Sequence, residues 1–330
     1  MKITAKKLLV SAAVIGGAIG GAAAASYVLT KNFIKVALNR EEPKLYKVAK
    51  ERISGMDSAV NDILKEAEEE GKRLENSGLE TIEITAHDGA KLIGHWYYKE
   101  GNKRTIIAMH GWRSSWARDF CMASEFWYEN GCNVLYAEQR AQNNSGGEYM
   151  GFGMIERFDC LDWINWANEK LNYSLPIFLN GLSMGASTVL MAAGFELPEN
   201  VKGITADCAF TSPKAIWRHV VKNNMNISYG IFAPSIDELC KKTINMKSDE
   251  YTTLKAMATN KVPVLFVHGS DDSFVPVEMT YENYKACIAP KRLLIVPGAE
   301  HGMSYAVDKD GYEKVAKQFW ADFENAEREK

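Results

Sequence analysis

The residues best suited to chemistry begin with Gly181-Leu182-Ser183-Met184-Gly185, a G-x-S-x-G sequence. Upstream, Pro176-Ile177-Phe178-Leu179 is an apolar run of strand length; downstream, Ala186 to Ala193 is a run of small and apolar residues suited to a helix. A strand that turns at once into a helix needs glycine on both sides of its apex, because a Cβ there collides with neighbouring backbone. The apex serine is then strained, its hydroxyl raised above the sheet and the positive end of the helix dipole behind it. Such a serine is a nucleophile for acyl transfer once a base takes its proton.

Six histidines can supply that base: His87, His95, His110, His219, His268 and His301. His87 and His95 fall in an early Ile-, Trp- and Tyr-bearing stretch that reads as a hairpin, and His219 falls in a helical insertion. His268 ends the strand-like run from Val262 to Val267, where packing and a local hydrogen bond are the simpler roles. His301 follows the last strand-like run, Arg292 to Val296, in the loop Pro297-Gly298-Ala299-Glu300-His301-Gly302. That loop leaves the edge of the sheet that carries Ser183, so His301 is the expected general base. Its orienting acid is expected at the same edge, in His268-Gly269-Ser270-Asp271-Asp272-Ser273-Phe274-Val275-Pro276. Spacing alone leaves Asp271 and Asp272 equal. The buried-type strand Thr105 to Met109 runs into His110-Gly111-Trp112-Arg113. Backbone N–H groups of Met184, the residue after the nucleophile, and of Trp112 in this early loop are the expected oxyanion hole.

Taken in chain order, the His-Gly loop, G-x-S-x-G, H-G-x-x-D-x-x-V-P and the late Glu-His-Gly resemble an α/β-hydrolase over roughly residues 80–326. The chain is similar to bacterial serine aminopeptidases and prolyl-oligopeptidase-type catalytic domains. The resemblance implies Asp272 as the acid, four residues after His268, and hence a triad in the order Ser183, Asp272, His301. It also implies a serine hydrolase; carboxylic esters, which have the better leaving group, are the expected substrates, and no cofactor or metal is expected. A peptide or other amide is the alternative substrate, and a non-catalytic binding protein of the same fold is a more distant reading. One segment departs from the pattern. Relatives carry Asp-x-Arg-Gly/Ala-His-Gly after the fourth strand, whereas this chain has Glu138-Gln139-Arg140-Ala141-Gln142-Asn143.

The remaining elements must position these groups. Asn133 to Ala137 and Val201 to Ala206 are strand-like, and residues 153–171 mix Ile, Leu, Phe and Trp with charges as a helix does. Short apolar strands alternating with helices predict the α/β class: a mostly parallel central sheet with helices on both faces. Between Thr211 and Lys261 the alternation stops, and helix-like apolar spacing over about residues 212–261 predicts a helical cap. Together these give a hydrolase domain over residues 79–330. Arg113 and Arg140 are candidates to receive a substrate carboxylate.

Ahead of that domain, Leu8 to Leu29 carries no charge, a length of about 22 residues that can cross ~30 Å of hydrocarbon as one helix. Residues 1–31 are therefore expected to be a transmembrane anchor, with a cleaved signal as the alternative, and the catalytic domain is expected outside the cytoplasm. Residues 32–78 read as a helical linker or stalk with a solvated charged face. The 6 cysteines stand singly, without metal-ligand spacing, and are expected as buried thiols. A net charge of −3 and no basic stripe argue against nucleic acid, leaving a small acyl ester or short peptide as partner, and the membrane through the N-terminal segment.

Overall fold

Aliphatic runs bounded by Gly, Pro and Asn become strands, and from the third strand onward each is followed by a stretch with helical spacing. The computed structural model describes residues 23–41 and 58–326. Its strands are β1 (Glu80–Thr85), β2 (Lys91–Tyr97), β3 (Arg104–Met109), β4 (Cys132–Ala137), β5 (Ile177–Leu182), β6 (Val201–Asp207), β7 (Val264–Gly269) and β8 (Lys291–Val296). They form one sheet in the order β1-β2-β4-β3-β5-β6-β7-β8. β2 runs antiparallel to β1 and β4, and every other pairing is parallel.

Every residue of β3, β4 and β7 is buried, the pattern of parallel strands covered on both faces. The two-residue period of a strand splits β3 between two cores. Ile107 and Met109 face α4 (Glu156–Lys170), α5 (Met184–Ala192) and α8 (Thr253–Met257) through Trp163, Val189 and Met257. Ile106 and Ala108 join the opposite core, with α3 (Trp116–Glu129) and α11 (Lys309–Phe323) supplying Phe120, Trp127, Phe319 and Trp320. Strand order reverses between β3 and β5, where Met109 pairs with Gly181. Such a switch point opens a crevice at the carboxyl ends of the strands, and the predicted site falls there.

Between β6 and β7 the chain forms α6 (Pro213–His219), a π-turn at Val220–Asn224, a short 3-10 turn at Tyr229–Ile231, α7 (Ala233–Ile244) and α8. Ser212 and Thr252 cap α6 and α8, each side chain accepting from a backbone N–H of the first turn. α9 (Val277–Ala286) and α10 (Ser304–Val307) complete the domain.

Two helices precede the sheet. Residues 23–38 form α1, and Thr30, Ile34, Ala37 and Leu38, on one side of it, are buried. The last three pack with Phe152, Met184, Trp217 and Phe232. α2 (Ser58–Glu75) lies on α3: Leu74 joins that core, while Lys72 pairs with Glu68 on the exposed face. α1 crosses the boundary expected at residue 31, and its second half packs on the domain built around the sheet. Residues 1–22 of the expected anchor and 42–57 of the expected linker lie outside the described residues. Among the described residues no helix is long and apolar enough to cross a membrane. All six cysteines are buried and free.

Candidate active site

The strained corner that the G-x-S-x-G spacing calls for is present at the end of β5. Ser183 has φ 55° and ψ −113°, and α5 begins at the next residue. A Cβ on Gly185 would run into the Met109 carbonyl, and one on Gly181 into the backbone of Gly185, so both glycines are sterically required. Every residue of α5 is buried, which seats the turn rigidly on the sheet.

Three loops from the same edge converge on Ser183. His301 lies in the loop after β8, and its Nε2 is 2.9 Å from Ser183 Oγ. Its Nδ1 is 2.7 Å from Asp272 Oδ2. Asp272 belongs to the loop after β7 and is buried. Its Oδ1 accepts from the backbone N–H groups of Phe274 at 2.9 Å and Val275 at 2.8 Å. Oδ2 also lies 3.1 Å from Nε2 of His268, whose Nδ1 is 2.7 Å from Thr280 Oγ1. Burial by itself would raise the Asp272 carboxyl. Hydrogen bonds from His268 and His301 outweigh it and hold the carboxyl well below its usual range. Asp271 is exposed and accepts from Ser270 Oγ instead. The Phe274 ring packs 5.1 Å from the His301 ring, centroid to centroid.

The loop after β3 stands across the nucleophile. A Cβ added to Gly111 would be 3.6 Å from Ser183 Cβ, so the loop runs directly over the serine. Trp112 follows it, and Met184 is the first residue of α5, where helix N–H groups have no intrahelical partner.

Motif order, the strained serine and its histidine partner narrow the possibilities to a serine hydrolase of α/β fold, and comparison with known proteins names the family. Residues 120–325 match the prolyl oligopeptidase family. The chain belongs to that family. It is 27% identical over 263 residues to the Bacillus subtilis protein YqkD, spanning 78% of this chain and 86% of that one. It is 24% identical over 230 residues to Escherichia coli YfhR, 67% of this chain and 73% of that one. Its fold is similar to that of the Pyrococcus furiosus esterase Pf2001, with a TM-score of 0.62, 23% identity, and coverage of 75% of this chain and 92% of the other.

In this prolyl oligopeptidase family member the segment that departs from the usual pattern has a structural role. Gln139 binds the His110 carbonyl through its amide, and its backbone N–H donates to His110 Nε2 at 3.1 Å. Gln142 Oε1 accepts from Arg113 N–H at 2.6 Å. Asp119, from α3, accepts from Gly111 N–H at 2.7 Å. Burial keeps His110 below its ordinary range, so the neutral ring can bridge Gly111 O at 2.8 Å and the Gln139 N–H. Sequence reasoning marked Gln139 and Gln142 only as part of a departing segment and missed Asp119; the two glutamines meet backbone partners 29 positions away, and Asp119 meets one eight positions before it.

Neither arginine considered for a substrate carboxylate is held for one. Arg140 is buried against Asp159, at 2.6 Å from Nε, and Asp88, at 2.8 Å from a terminal nitrogen. Arg113 reaches the end of α1, with Asn39 O at 2.7 Å. Ligand atoms of Cys208, Asp272 and His301 fall within 4.8 Å of one another. Two of these already hold each other, and burial pushes the Cys208 thiol far up, which keeps its sulfur protonated.

Proposed function

We propose that this prolyl oligopeptidase family member cleaves carboxylic esters through an acyl-enzyme. The observation that carries the reading is the double engagement of His301, 2.9 Å from Ser183 Oγ on one side and 2.7 Å from Asp272 on the other. His301 takes the hydroxyl proton as Ser183 Oγ attacks the ester carbon, and the carbonyl π electrons move onto oxygen. Backbone N–H groups of Met184 and Trp112 stabilise that oxyanion. Collapse of the tetrahedral intermediate expels the alcohol, which takes the proton from His301. Water then attacks the acyl-enzyme with His301 again as base, releasing the acid and restoring Ser183. Asp272 stays ionised throughout and stabilises the imidazolium.

Two points favour esters. Trp112, only partly buried, packs on Phe152 in the apolar group that also holds Met184, the residue next to the nucleophile, and we read its apolar surface as suited to an acyl group. An ester also has the better leaving group. The competing reading, cleavage of a short peptide or another amide, draws support from the peptidase name of the family. Labelling with a fluorophosphonate tests the chemistry: wild type reacts and Ser183→Ala does not. Parallel kinetics on p-nitrophenyl esters of rising chain length and on aminoacyl anilides test the substrate. Faster turnover of anilides than of esters would reverse the preference.

A further inference from the structure

Trp112 and Arg113 both reach out of the oxyanion loop and hold the end of α1. One terminal nitrogen of Arg113 donates to Val36 O at 2.9 Å and Asn39 O at 2.7 Å, and the other to Arg40 O at 3.4 Å. Trp112 Nε1 donates to Ala37 O at 2.9 Å. Val36 and Ala37 lie in the last turn of α1, where carbonyls have no intrahelical partner and the helix dipole is negative. A guanidinium suits such a cluster because its rigid fork of N–H groups meets several oxygens at once. The Arg113 guanidinium also sits 5.2 Å from the centre of the Trp112 ring, so the two side chains brace each other.

The hold acts in both directions. Arg113 has φ 51°, a left-handed conformation that a residue with a side chain keeps only when its surroundings impose it. Gly111 N–H donates to Asp119 and Arg113 N–H to Gln142, which fixes the His110–Gly111 and Trp112–Arg113 peptides and so holds the short stretch that carries the Trp112 N–H. α1 is anchored in turn by Ile34, Ala37 and Leu38, which belong to the same packed group as Met184. Both donors of the proposed oxyanion hole are thus tied to one helix from the amino-terminal end of the chain. We infer that Arg113, by gripping the C-terminal end of α1, is a positioning residue for the oxyanion hole, and that α1 is part of the catalytic apparatus. The inference rests on the ester-cleaving role proposed for Ser183 and Trp112.

The test uses the full chain carrying Arg113→Gln, Arg113→Lys, Trp112→Phe, or Lys35→Ala on the exposed side of α1 as a control. For each, kcat and KM on a p-nitrophenyl ester are measured with thermal melting and inhibition by an alkylboronic acid, whose tetrahedral adduct on Ser183 needs the oxyanion hole. Arg113→Gln should lower kcat about 100-fold with KM nearly unchanged, and weaken the boronate by a similar factor. Lysine should restore part of the loss, since it returns the charge without the fork. Trp112→Phe should lose less, and Lys35→Ala nothing. Wild-type kcat and boronate affinity in a folded Arg113→Gln protein would overturn the inference. So would a rise in kcat, which would mark α1 as an obstruction. Should that variant fail to fold, wild-type behaviour of both Arg113→Lys and Trp112→Phe overturns it equally. If wild type itself does not react with a fluorophosphonate, the proposed function falls; if it reacts and the variants match it, this inference alone falls.

Discussion

Replacing Asp272 by Asn keeps the size of the side chain and changes only which of its outer atoms can accept a hydrogen bond. Two backbone donors, Phe274 N–H and Val275 N–H, point at Oδ1 from 2.9 and 2.8 Å. An NH₂ group there would face two donors, so the Asn oxygen must take that position. The NH₂ is then forced into the place of Oδ2, 2.7 Å from His301 Nδ1 and 3.1 Å from His268 Nε2. His301 must offer it a lone pair, so the ring proton moves to Nε2, the atom that faces Ser183 Oγ at 2.9 Å. A base whose accepting nitrogen is already protonated cannot take the serine proton. Loss of the correct tautomer costs about 10⁴-fold in kcat in triad enzymes, or about 5 kcal/mol of transition-state stabilisation. The assay is kcat on a short-chain p-nitrophenyl ester at neutral pH, with Asp271→Asn as the companion variant. Asp271 is exposed and bound to Ser270, so its replacement should change kcat by less than about twofold. The reasoning is refuted if Asp272→Asn keeps a tenth or more of wild-type kcat, or if Asp271→Asn is the variant that fails.

Two further outcomes are expected. Gly185→Ala should cost about 3 kcal/mol or more, because its Cβ would run into the Met109 carbonyl in a turn with no room to relax; an unchanged urea midpoint would count against this. Asp207, fully enclosed at the end of β6, accepts from Ser304 Oγ at 3.0 Å, and burial, partly offset by His268, Ser304 and His301, raises its pKa from 3.8 to about 6. A carboxyl that holds its proton more tightly when folded weakens the fold once ionised. The cost is absent below about pH 4, grows up to about pH 6 and is complete above it. Asp207→Asn should therefore raise the melting temperature relative to wild type at pH 8 and lose that advantage by pH 4. A gain that does not shrink on acidification would contradict the assignment.

What could be read in advance was whatever a short stretch of chain determines. The two glycines about Ser183 respond to clashes within one turn, and the buried strands declare themselves as aliphatic runs. Choosing Asp272 over Asp271 was not local, since spacing left them equal and only the family pattern preferred one. The physical difference is that Asp272 turns back onto two N–H groups of its own loop while Asp271 faces water. α1 was harder still. Its buried residues recur at Thr30, Ile34, Ala37 and Leu38, but the first of these follows directly on an uncharged run with no polar face to reveal which side packs. Arg113 was legible as a charge and not as a partner for helix carbonyls some seventy-five positions earlier, because nothing in the intervening sequence encodes that meeting.

A chain trimmed to begin at the first strand would lose Ile34, Ala37 and Leu38, and so bare the greasy flank of Met184 and the rings of Trp217 and Phe232. Naked hydrocarbon of that kind invites self-association and chaperone capture before any catalysis can be measured. A tidy catalytic fragment would therefore precipitate, and silence from it would say nothing about its chemistry.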